Sequence, residues 1–82
     1  MVKPSEHAPA TAALIERLLQ KTFDSDVVQV VQGDGGTAAA LVDQGYDHIF
    51  FTGGGSIGSK VLAGAARHLT PVTLELLSLI HI

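Results

Sequence analysis

Gly53, Gly55 and Gly58, in the stretch FFTGGGSIGSK over residues 50–60, are the residues of this chain best suited to approach a phosphate. Their spacing spells G-x-G-x-x-G, in which glycines close a tight turn and bring backbone amides up to a pyrophosphate, provided that a strand precedes and a helix follows. The span from Gly53 to Gly58 also has the gap of a P-loop, but a P-loop continues with Lys and then Ser or Thr, whereas here Ser59 precedes Lys60. One position is about 100° around a helix, so Lys60 is turned away from the place a P-loop lysine occupies. A plainer role is open to the same glycines: a tight turn that lets helix and strand pack closely. Beyond the turn, Lys3 and Glu6 stand beside Pro4, and Glu75 lies in VTLEL, downstream of the glycines. In a simple dinucleotide reading such an acid binds the ribose.

These residues need a scaffold, and the periodicity supplies one. Pro9 suits the first position of a helix over Ala10 to Phe23, with Leu14, Ile15, Leu18 and Leu19 on one face and Glu16, Arg17, Gln20 and Lys21 on the other. Asp24 to Asp26 break it, and the β-branched run VVQVV, residues 27–31, reads as a buried strand. The turn GDGG, residues 33–36, leads into a short helix from Thr37, a plausible cap, to Asp43, which Gly45 ends. His48 to Thr52 reads as the next strand. A helix from about Ser56 to His68 follows, carrying Ile57, Val61, Leu62, Ala65 and Leu69 at helical spacing, with Ser56 as its cap; VTLEL, residues 72–76, is a further strand. Alternating strands and helices imply a parallel sheet with helices on both faces, whose ligands bind beyond the carboxyl ends of the strands. Lys3, Glu6, the glycine turn and Glu75 all fall at such ends. A helix beginning near Ser56 aims free N–H groups and its positive dipole end at the loop, which suits a pyrophosphate.

Composition narrows the partners. The 82 residues allow one small domain, which buries only about 60% of the surface its unfolded chain exposes. Hydrophobic residues make up 46% and charged residues 16%, below the roughly 25% of an ordinary soluble domain, so the chain is short of groups with which to cover itself. A net charge of −3 without a basic run argues against nucleic acid or an anionic membrane as partner. No apolar run approaches the length of a membrane span, and the expected location is the cytoplasm. With no cysteine there is neither a disulfide nor a thiol nucleophile. Asp34, Asp43 and Asp47 read as turn and cap formers. His7, His48, His68 and His81 are too scattered to nominate a metal site.

Three stretches, VKPSE, DHIFFTGG with Gly58 closing its loop, and AARHLTPVTLEL, together resemble in order and spacing the coenzyme-binding segment of the aldehyde dehydrogenase superfamily, most closely its class 3 or fatty-aldehyde branch. The resemblance covers residues 2–76 and implies a partial Rossmann-like open parallel sheet that forms an incomplete NAD(P)-binding domain over 1–76. It implies that Lys3 and Glu6 grip the adenosine ribose, and that Gly53, Gly54 and Gly58 form the pyrophosphate loop. Many members carry Ser or Asn where this chain has Gly54. Glu75 then matches the family's general base rather than a ribose ligand, a carboxylate expected to be partly shielded by apolar neighbours. The cofactor implied is NAD or NADP, and the substrate of the full-length enzyme an aldehyde, oxidised to its acid in a form that is a homo-oligomer. The alternative is a stand-alone dinucleotide-binding module without catalysis.

After Leu76 the family continues with two glycines and a lysine, whereas this chain reads LSLIHI. Leu77 to Ile82 are expected to be a non-native tail, since the codons CTG-TCT-CTT-ATA-CAC-ATC, a transposon end used as a sequencing adapter, encode them. An 82-residue chain with part of a coenzyme cradle and no nucleophile is expected to be inactive by itself.

Overall fold

The structure, a computed structural model, describes residues 1–76; the expected non-native tail, 77–82, lies outside the described residues. The elements run α1 (Pro9–Thr22), α2 (Gly35–Val42), β1 (Ile49–Gly53), α3 (Gly55–Ala66) and β2 (Val72–Leu76). They fall into two compact units, the first Met1–Ala38 and the second beginning at Ala39.

In the first unit Pro9 opens α1, where its missing N–H costs nothing, and the Phe23 N–H closes the helix on the Leu19 carbonyl at 2.9 Å. Of the apolar face expected for α1, Ile15 and Leu19 are half-buried and Leu14 and Leu18 exposed, and the buried residue of the helix is Ala12, which that face did not include. The strand expected over 27–31 is reduced to a single parallel bridge, Val2 with Val30. Its bonds are Val2 N–H to the Gln29 carbonyl at 2.8 Å and Val31 N–H to the Val2 carbonyl at 3.0 Å. The cause lies in both segments. The next donor along the first would be Pro4, which has no N–H, and Val27 is drawn into a turn in which the Asp24 carbonyl accepts from Val27 and Val28. β-Propensity without a continuous partner does not make a strand.

Asp34, not Thr37, caps α2. Its Oδ1 accepts the N–H groups of Gly36 at 3.0 Å and Thr37 at 3.3 Å, so the helix starts at Gly35. Gly45 ends the following turn with φ of 75°, a left-handed conformation that suits glycine.

The second unit holds a parallel pair, β1 with β2, joined by α3; Ile49 faces Val72, Phe51 faces Leu74 and Gly53 faces Leu76. That is the α/β arrangement the alternation implies, with strand boundaries one residue later at β1 than expected. The helix reaches this sheet through small residues: Gly58, Val61, Gly64 and Ala65 are its buried positions. A Cβ on Gly58 would stand 2.9 Å from Leu76 Cδ2, and one on Gly64 2.8 Å from Val42 Cγ1. The bulky positions of the expected stripe, Ile57, Leu62 and Leu69, are instead exposed. Shape explains this: close approach to a strand favours the absence of a side chain over its size.

α3 ends in a Schellman turn, with Thr70 N–H bonded to the Ala65 carbonyl at 3.1 Å and Leu69 N–H to the Ala66 carbonyl at 3.2 Å. Leu69 occupies the left-handed position at φ of 53°, where glycine is usual, and its side chain is 91% exposed. Beside it, Asp43 accepts from His68 Nε2 at 3.0 Å and from Arg67 at 3.5 Å. The His68 bond, then the Arg67 charge, hold the Asp43 carboxyl below its ordinary value. These groups are largely solvated, so the pair contributes little.

Leu69→Gly is expected to raise stability by about 1 kcal/mol, since it relieves the left-handed penalty and gives up no packing; a urea midpoint that stays or falls would contradict this. Asp34→Ala is expected to cost about 1 kcal/mol through the lost cap, with faster amide exchange at Gly36 and Thr37.

Candidate functional site

The chain has two glycine-rich turns before helices, and their side chains set them apart. At the first, the Asp34 carboxylate already occupies the opening N–H groups of α2. At the second, Gly54 is the N-cap of α3, no side chain caps the helix, and no acid lies in its first turn. Ser56, expected to be that cap, sits inside the helix and is exposed, because the helix begins earlier, at Gly55. The first intrahelical bond runs from Gly58 N–H to the Gly54 carbonyl at 2.9 Å, which leaves the N–H groups of Gly55, Ser56 and Ile57 without a helical acceptor. Gly54 has φ of −76° and ψ of 158°, values any residue adopts, and a Cβ on Gly54 or Gly55 would meet nothing within 4 Å. Neither backbone strain nor packing calls for glycine there. Among the described residues no side chain takes up these amides at the positive end of the helix, a donor set that fits the pyrophosphate of a dinucleotide.

Gly53 and Gly58 are glycines for a different reason. A Cβ on Gly53 would press on the Phe51 ring at 2.5 Å, and Gly58 lies against Leu76. They allow the strand to turn and the helix to seat.

Parallel register decides where Glu75 falls. It pairs with Thr52, and Gly53 pairs with Leu76, so Glu75 stands at the same carboxyl rim from which the chain enters α3. Glu75 is exposed, whereas apolar neighbours were expected to shield it; the β2 pattern turns Val72 and Leu74 inward and Thr73 and Glu75 outward. Lys60, the residue weighed for a P-loop, is exposed on α3.

In the first unit, Lys3 and Glu6 meet directly, Nζ to Oε2 at 3.0 Å. Lys3 Nζ also donates to the Pro4 carbonyl at 3.3 Å, and its side chain is only 13% exposed. The turn is shaped by Ser5, whose Oγ accepts the His7 N–H at 3.1 Å, and His7 Nε2 lies 3.3 Å from the other Glu6 oxygen. Ser5 and His7 were missed as contributors. The small Ser-x-His turn was the available signal, since a hydroxyl accepting from the second residue on is a recurrent local bond. The hydrogen bond from Lys3 is the main cause that holds the Glu6 carboxyl below its ordinary 4.5. Together the two present a donor and an acceptor within one short turn, the pairing that neighbouring sugar hydroxyls require.

A family model described as the aldehyde dehydrogenase family matches residues 1–78. The chain belongs to that family. An aldehyde dehydrogenase from Craterostigma plantagineum is 50% identical over 76 residues, which are 93% of this chain and 16% of that protein. Aldehyde dehydrogenase family 3 member H1 of Arabidopsis thaliana is 49% identical over the same shares. Among solved structures, a substrate-bound state of Staphylococcus aureus AldH superposes with a TM-score of 0.88 at 39% identity, over 90% of this chain and 16% of that one. The chain therefore spans 16% of the length of these aldehyde dehydrogenases. Among the described residues no helix is long and apolar enough to cross a membrane, and no cluster of His, Asp and Glu could hold a metal ion.

Because the folded Glu6 value lies below the unfolded one, the stability its pair adds is present above about 4.5 and is lost as pH falls through the folded value. Carboxyl resonances should report a Glu6 midpoint under 4.5 that Lys3→Met moves back toward it; an unmoved midpoint would remove Lys3 as the cause.

Proposed function

We propose that this chain is the coenzyme-binding segment of an aldehyde dehydrogenase that converts aldehydes to carboxylic acids with NAD or NADP. The observation that carries the reading is the pairing of Thr52 with Glu75, which sets an acid at the strand ends from which an uncapped helix springs. In this reading the amides of Gly55, Ser56 and Ile57 solvate the diphosphate. Gly54 leaves room for it, Gly53 lets the strand turn into the loop, and Gly58 seats the helix that presents these amides. Lys3 donates to the adenosine ribose and Glu6 accepts from it. When bound, the coenzyme supplies the hydride acceptor.

Glu75 acts as general base. It takes the proton from the thiol nucleophile as it attacks the aldehyde carbon, passes that proton to solvent, and as a carboxylate again takes one from the water that releases the acid. An exposed carboxylate at the rim is free to meet such a proton donor. The thiol belongs to a part of the enzyme that this chain does not span, because the chain has no cysteine.

Titration of the isotope-labelled chain with NAD is expected to shift the amides from Gly54 to Ile57 and the resonances of Lys3 and Glu6. Glu6→Gln should weaken binding about tenfold, in line with the loss of one charge-assisted hydrogen bond. Glu75→Gln should leave affinity unchanged; a comparable loss there would make Glu75 the ribose ligand instead. Shifts absent from the glycine turn at saturating NAD would end the coenzyme reading. The chain alone is expected to form no NADH from an aldehyde and NAD, and measurable turnover would refute its assignment as an incomplete enzyme.

A further inference from the structure

We draw no further inference here: the strongest candidate, the apolar groove of the first unit between the end of α1 and the 28–31 segment, lined by Met1, Phe23, Val28, Val30 and Val31, is an unpartnered surface and nothing in the structure shows what covers it.

Discussion

The parallel register of β1 against β2 is the constraint on which the second unit turns. Five backbone positions pair in step, from Ile49 with Val72 to Gly53 with Leu76, and a slip of one residue would send every side chain of one strand to the other face. The register is held from one side by α3, whose buried positions are glycines, a valine and an alanine. With so little side chain on the helix, the Leu74 and Leu76 side chains of β2 lie directly against Gly58. The pairing fixes where β1 ends relative to β2, and so decides which residues share a rim.

The glycine turn into α3 leaves from that rim. The same glycines divide into those that packing requires, Gly53 and Gly58, and those that packing leaves free, Gly54 and Gly55. Among the described residues the turn before α3 has no acid of its own and no side chain on its opening amides, whereas the GDGG turn before α2 is completed by Asp34. The two turns share a glycine-rich composition and differ in that Asp34 caps one helix while no side chain caps the other. Lys3 and Glu6 form a different kind of feature, already satisfied by each other, with one member largely buried.

Much of this was legible in the residues. The β1–α3–β2 unit was marked by a β-branched and aromatic run, a glycine turn, a helical repeat and a second strand, each locally consistent with the fold. α1 and its opening proline were equally plain. What failed did so for reasons a single sequence hides. The run at 27–31 has strand propensity, but a ladder needs a partner, and Pro4 deprives it of one. Thr37 and Ser56 are good capping residues by type; the helices start earlier, where an aspartate and a glycine stand. Of the apolar stripe expected for α3, Val61 and Ala65 are buried, but Ile57, Leu62 and Leu69 are exposed and Gly58 and Gly64 complete the buried face. Shielding of Glu75 depends on the face β2 presents, which the alternation within VTLEL settles only once one knows which side meets the helix.

The joint at Asp43 lies at the other end of these elements. Its carboxylate, shared by His68 and Arg67, fastens the segment entering β1 to the segment leaving α3, on the amino side of the strands, away from Gly54 and Glu75. The solvated Asp43 link and the turn into α3 thus lie at opposite ends of the strands. Because that link adds little stability, substitutions there leave the register, and with it the rim shared by Gly54 and Glu75, in place.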